Sequence, residues 1–325
     1  MKTPLLSVCL ITYNHENYIR QAIEGVLMQK VDFEWELIIA EDCSTDTTRA
    51  IVLEYKEKHP RFIKLILQEK NVGPAKNFLD LIATPKSKYI AYFEGDDYWI
   101  DPLKLQKQVD ILEANKNIGL VYTNVQHFDQ TTGDFIEIAP RFAKEPLEVI
   151  PLMLKSKFID LSASVFRTEV LFNVIDVIRV ELETKVIGDT RILLESVYRS
   201  EIYFLNEVTT VYRIVEGSAS HPKGVDKYIL AINDSYLCRK EFVNRNNLNT
   251  KWLSHTICNT NRGLINQAFV AKKYSDTIKL LKNILILDTF KYCSFTVFVE
   301  KIKLNIWIKL ILSILGIGFL RQKFK

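Results

Sequence analysis

Glycine and proline are scarce, 11 and 9 of 325 residues, so collagen-like and low-complexity chains are excluded. Disorder is excluded too, because 48% of the residues are hydrophobic and only 25% charged, enough apolar surface to offset chain ordering. The five cysteines (Cys9, Cys43, Cys238, Cys258, Cys293) are odd in number and widely spaced, without CxxC or Cys/His metal spacing. Reduced thiols in a cytoplasmic protein are the simplest reading. The first twelve residues hold one lysine and an apolar-rich run, Leu5 to Ile11, followed directly by polar residues and no small-residue cleavage site. That describes a strand, not a signal peptide. A spanning apolar run is also missing: Lys309 interrupts residues 304–320 and leaves eleven uncharged residues from Leu310 to Leu320, where spanning needs about 20.

The excess positive charge is confined to the C-terminus. Residues 301–325 carry six basic residues and no acidic one, leaving 37 basic against 39 acidic elsewhere. A nucleic-acid-binding body would carry a basic patch on the folded domain, so no nucleic-acid partner is expected. The tail, with Trp307 and basic residues at both ends, reads as an amphipathic helix lying on an anionic membrane surface. A buried helix or a protein contact is the alternative. The expected location is cytoplasmic, peripheral to the inner face of the cell membrane.

From residue 5 to about 128 short apolar runs alternate with helically spaced segments. Strands are expected at Leu5–Ile11, Glu36–Ala40, Phe62–Leu67, Tyr89–Phe93 and Leu120–Val125, and helices at Tyr18–Gln29, Thr47–His59, Pro74–Ile82 and Asp101–Ala114. This is an α/β pattern with a Rossmann-like, mostly parallel sheet, and continuous apolar strands such as LSVCLI fit coverage on both faces. Residues 131–220 read as an α+β extension, with a helix near Leu147–Leu154, an apolar run Ala163–Phe166, a helix starting near Asp189 and a β-rich Ile202–Ile214. A helical region (221–300) and the basic tail (301–325) follow.

Ligands of such sheets gather at the carboxyl ends of the strands. There the sequence places Thr12-Tyr13-Asn14, then Glu41-Asp42-Cys43-Ser44, then Glu94-Gly95-Asp96-Asp97. Singly, each has an ordinary reading: Asp46 or Thr47 caps a helix, Asn14 turns the chain, adjacent acids are solvated. Three carboxylates at one strand end, however, repel unless a cation offsets them. Mg²⁺ or Mn²⁺ suits such oxygen ligands and completes its shell with water and substrate phosphates. A phosphorylated substrate follows. The five histidines show no spacing that suggests a ligand set.

The ordered motifs LSVCLITYNHENYIRQAI, LIIAEDCSTDTT, NVGPAKN and YFEGDDYWIDPLKLQKQ resemble the family-2 glycosyltransferases, closely over about residues 5–130 and more weakly to about 220. The resemblance implies a GT-A fold and a nucleotide-diphosphate sugar donor. It implies that Thr12, Tyr13 and Asn14 line the nucleotide pocket, that Asp42 accepts a hydrogen bond from the base, and that Lys76 lies near the donor. Asp96 and Asp97 resemble the DxD element, Asp96 toward the ribose and Asp97 on the metal. Glu94 and Glu41 depart from the commoner pattern while keeping the charge. Asp189, after Gly188 at a helix start, resembles the catalytic base, with Asp160, Glu181 and Glu183 as competitors and a plain helix cap as the alternative. Arg213, before the 216–221 loop, resembles the segment that closes over donor phosphates; an ordinary surface residue is the other reading.

The implied activity is inverting, metal-dependent hexosyl or N-acetylhexosaminyl transfer to a saccharide or lipid-linked saccharide, in cell-surface polysaccharide, lipopolysaccharide or glycolipid synthesis. A nucleotidyltransferase would want a Gly-rich phosphate loop, and TYNHENY has no glycine. An inactive nucleotide-sugar binder or membrane adaptor has no use for the acids at 42, 96, 97 and 189.

Overall fold

The computed structural model describes residues 3–136, 146–155, 159–185, 188–218, 224–253 and 256. The chain divides into two compact units, one of residues 1–153 and 157–218, the other of 154–156 and 219–325. The tail at 301–325 and most of the helical region expected over 221–300 lie outside the described residues.

The first unit begins with strand–helix alternation: β1 (Leu6–Thr12), α1 (Ile19–Leu27), β2 (Trp35–Glu41), α2 (Thr48–Lys58), β3 (Ile63–Leu67), α3 (Pro74–Ile82), β4 (Tyr89–Glu94), β5 (Tyr98–Trp99) and α4 (Lys104–Ala114). It continues with β6 (Ile118–Asp129), β7 (Asp134–Ile136), α5 (Pro146–Lys155), β8 (Ser164–Arg167), α6 (Thr168–Thr184), α7 (Asp189–Arg199) and β9 (Glu201–Ile214). Among the described residues the second unit contributes α8 (Val225–Arg245) and a short 3₁₀ turn at Thr250–Trp252. No helix of the described residues is long and apolar enough to cross a membrane.

The strands form one sheet in the order β3-β2-β1-β4-β8-β6-β9-β5, with β7 paired to β6. β3, β2, β1 and β4 are parallel; β8 runs antiparallel to both β4 and β6, and β6 is parallel to β9. The central strands are mostly apolar because both faces are covered, the buried Ser7 hydroxyl being satisfied by Glu36 (2.7 Å). Leu6, Val8, Leu10, Leu37, Ile39, Ala91 and Phe93 meet Ile19, Ile23 and Val26 of α1, Val52 of α2 and Leu105, Val109 and Leu112 of α4 in one buried cluster. On the opposite face the Phe78 ring of α3 stands edge-on to Tyr92, 5.2 Å between centroids.

This order positions the site. From β1 the chain builds outward to β2 and β3, then returns to lay β4 on the other side of β1, so the order reverses between β1 and β4. A crevice opens at such a reversal, outside the strands' carboxyl ends. Here those ends are Thr12 and Glu94.

Candidate active site

The loops after β1 and β2 are joined by their own polar side chains. Asn14, in the left-handed region at φ 54°, accepts from the Thr45 amide (2.9 Å) and hydroxyl (3.2 Å), and its own amide donates to Ser44 Oγ (3.0 Å). The His15 amide donates to Thr48 Oγ1 (2.8 Å), and the Glu16 amide to Asp46 Oδ2 (3.1 Å). Asp46 Oδ1 accepts from the Thr48 amide (2.9 Å), so Asp46 both caps the α2 start and ties it to the first loop. Both ordinary readings of Asn14 and Asp46 therefore hold, and the turns they make join the loops after β1 and β2. Thr12 is buried and Tyr13 stands 39% exposed.

Glu41 and Asp42 adjoin but do different work. Glu41 is fully buried, ion-paired to Arg49, and accepts from the Ser44 amide (2.6 Å). It braces the loop. Asp42 is bound to Thr12 through its own amide (3.1 Å), and its two carboxylate oxygens accept from the Val72 amide (2.7 Å) and the Gly73 amide (3.0 Å). The NVGPAKN segment is thus docked on Asp42. Lys76, in the first turn of α3, is exposed and ion-paired with Asp80.

The acidic loop after β4 is crowded. Gly95 lies so close to β1 that an added Cβ would stand 2.9 Å from both His15 Nδ1 and Thr12 Oγ1. A side chain there would require Thr12 or His15 to shift. Asp96 and Asp97 are both buried. The Asp97 carboxylate accepts from the Arg213 amide (3.0 Å), and the Ser162 side chain also favours its charged form. Burial above all, then the charges of Asp96 and Glu94, pushes its pKa well above the usual carboxylate range.

Arg213 is buried here and is no surface residue. Its guanidinium donates to the Asp96 carbonyl and to Gln21 Oε1, and lies over the rings of Tyr98 (4.3 Å) and Tyr18 (5.2 Å). β9 carries it there because Tyr98 pairs with Val211. His15, for which the sequence offered no ligand spacing, sits 3.3 Å from Thr12 Oγ1 through Nδ1. Burial lowers its pKa, opposed by the negative charges of Asp96 and Asp46 and aided by Arg213. Burial thus favours the neutral imidazole, which lies beside Thr12 at the end of β1. Its position directly after Asn14 was the available signal; Gln21 and Ser162 offered none.

Asp189 opens α7, where Oδ1 accepts from the Thr190 amide (2.6 Å). The charge of Asp189 is felt at Tyr92 of β4. Burial raises the tyrosine pKa most, followed by the negative charges of Glu94, Asp189 and Asp96. Of the competitors, Asp160 is buried and directly precedes the 3₁₀ turn Leu161–Ala163, while Glu181 and Glu183 lie near the end of α6.

As a cation site, the acidic loop offers carboxylates at high mutual repulsion. No group of three or more His, Cys, Asp or Glu among the described residues converges on one point. That composition fits Mg²⁺ or Mn²⁺, which take one or two carboxylates and need substrate phosphates to finish the shell. It does not fit a cage made by the protein alone.

The arrangement defines an α/β protein with a polar, acid-rich ligand crevice at a sheet switch point. The sequence model of glycosyl transferase family 2 matches residues 7–172, and the chain belongs to that family. It is 36% identical over 164 residues to an uncharacterised protein of Mycobacterium tuberculosis, covering 50% of this chain and 47% of that one, so it spans about half the length of that relative. A Bacillus subtilis glycosyltransferase named for teichuronic acid biosynthesis, TuaG, is 37% identical over 109 residues, 34% of this chain and 42% of its own. The fold matches S. aureus TarS 1-349 in complex with UDP-GlcNAc (TM-score 0.54, 15% identity, 88% and 91% of the two chains). It also matches the mannosyltransferase PcManGT from Pyrobaculum calidifontis in complex with GDP-Man and Mn²⁺ (0.52, 14%, 97% and 87%). The fold is of the GT-A type.

Proposed function

We propose that this protein transfers a hexosyl or N-acetylhexosaminyl group from a nucleotide-diphosphate sugar to an acceptor hydroxyl, with inversion, in the synthesis of a cell-surface saccharide. What supports the reading is the position of Asp42 directly after β2 and of the Asp96–Asp97 loop directly after β4, the two neighbours of β1, with Asp189 and Asp96 both acting on Tyr92. The relatives support it in kind: one structural neighbour binds UDP-GlcNAc, another GDP-Man with Mn²⁺, and TuaG is named for polysaccharide synthesis.

Thr12, Tyr13, Asn14 and Asp42 form the nucleotide wall, with Asp42 already fixed by the 72–73 amides and still able to accept from a base through its remaining lone pairs. Asp96 takes the ribose side. Asp97 would hold Mg²⁺ or Mn²⁺, which supplies Lewis-acid neutralisation of the leaving diphosphate when bound. Arg213 brings a fixed positive charge to the same loop, and Lys76 reaches the donor only by leaving Asp80. Asp189 takes the proton of the acceptor hydroxyl, typically worth about 10²- to 10⁴-fold. One base opposite the leaving group gives single displacement.

The test is Asp189→Asn. Donor binding and folding should persist, and transfer should fall about a hundredfold or more, since an amide cannot accept the proton. Asn caps helices about as well as Asp, so a fully active variant would reduce Asp189 to a helix start and send the search to Asp160, Glu181 and Glu183.

A further inference from the structure

Behind the acidic loop lies a charged side chain to which the proposed chemistry gives no task. Lys104, in the first turn of α4, has no exposed surface. Its ammonium lies 4.5 Å from the centroid of the Trp99 ring and donates to Gln108 Oε1 (2.6 Å). Gln108 is itself held, its amide donating to the Val121 carbonyl (3.0 Å) and the Ala163 carbonyl (3.1 Å). The ammonium is thus kept against the indole by a fixed partner.

Trp99 is two residues beyond Asp97. Its ring stacks on Phe93 (4.8 Å between centroids, 29° between planes), and its indole N–H donates to the Ser162 carbonyl (3.0 Å). The Ser162 side chain in turn acts on Asp97, favouring its charged form. The α1 helix closes the remaining side: a Cβ on Gly25 would stand 2.9 Å from the Trp99 amide nitrogen. From Lys104 the contacts run through Trp99 to Ser162, which acts on Asp97.

We propose that Lys104 is a positioning residue for the proposed donor site: from outside the site it holds Trp99 against Phe93, and through Ser162 fixes where the Asp97 carboxylate stands. A desolvated cation on an indole face is the strongest form of this contact. The cost of burying the charge shows in the lysine's own pKa, brought down to about 7 by burial and opposed by Asp101. Asp101, which is also paired with Lys107, is the charged group acting on it. β5 presents the Trp99 face, α4 the Gln108 amide, and β6 and the 161–163 turn present only main-chain carbonyls, to Gln108. The clamp is therefore strong below neutral pH and loses its cation above it.

The experiment uses the full-length protein with Lys104→Met, which keeps the stem and deletes the charge, and Trp99→Phe, which keeps the stack on Phe93 and deletes the indole N–H. In ¹⁵N-labelled wild type, the Trp99 indole resonance, identified by its loss in Trp99→Phe, should shift with a midpoint near pH 7; in Lys104→Met that titration should vanish. With UDP-GlcNAc or GDP-mannose and Mn²⁺, Lys104→Met should lower kcat about tenfold at pH 6 with donor KM nearly unchanged, and about twofold or less at pH 8.5. It should add nothing to Trp99→Phe. An indole titration that survives Lys104→Met overturns the proposal, as does a loss of turnover that is equal at both pH values or additive with Trp99→Phe. Because the proposal rests on the glycosyl-transfer reading, the indole titration is decisive without turnover: a wild type that uses no donor but titrates as stated fails that reading alone.

Discussion

At the scale of single residues, Asp97 sets activity against stability. Its carboxyl is pushed up by burial and by Asp96 and Glu94, so the folded value lies above the unfolded one. For a group shifted in that sense, stability is complete below the unfolded pKa, about 4, and is lost as pH rises toward the folded value. Asp97→Asn removes the charge and keeps an oxygen that can accept from the Arg213 amide. In EDTA at pH 7.5 the variant should be about 1 to 2 kcal/mol more stable than wild type, a margin that shrinks toward pH 4.5, while turnover collapses. Thermal melts at the two pH values check this. A lower melting temperature at pH 7.5 would mean that Arg213 and Ser162 more than offset the burial.

At the scale of elements, what was legible in the sequence is what has local cause. Pro74–Ile82 is a helix at the expected bounds because a Gly-Pro pair starts it, and the strands of β1, β2 and β4 lie within one residue of expectation because both faces are apolar. α6 was not read as a helix: its interior is dense in Val and Ile, which weaken helical propensity, and packing beside α7 decides the matter. β5 is two residues long and exists only by pairing with β9. The candidate site divides the same way. Asp42, Asp96 and Asp97 could be found because they end strands; the meeting of Arg213 with Gln21, across 192 residues, has no local sign. A tight junction of elements lies where β4 leaves the sheet beside β1. Gly95→Ala should force Thr12 and His15 aside, costing about 1 to 3 kcal/mol of stability and about tenfold in donor affinity. Calorimetric donor titration and a denaturant melt measure both; an unperturbed variant would show that the strand ends yield freely.

At the scale of the whole molecule, charge is segregated: the six basic residues of 301–325 have no acidic neighbour within that segment, and the rest of the chain is nearly neutral. Polybasic segments gain about 1 kcal/mol per Lys or Arg at an anionic leaflet. Deleting 301–325 should therefore move the protein from the membrane to the soluble fraction and leave donor hydrolysis unchanged. Fractionation with the truncated chain decides it, and unchanged membrane association would refute the anchor. The return of β9 to β5 also fixes an order of birth. Arg213 binds the Asp97 carboxylate across 116 residues, and at a synthesis rate of about 5 to 20 residues per second it leaves the ribosome on the order of ten seconds after Asp97. During that interval the parallel half of the sheet and the rings of Tyr18 and Tyr98 are already made, yet the acidic loop lacks the Arg213 amide and guanidinium. A nascent chain is thus charged against itself at that loop until β9 arrives, and ribosome-bound intermediates stalled before residue 213 would be held open by repulsion.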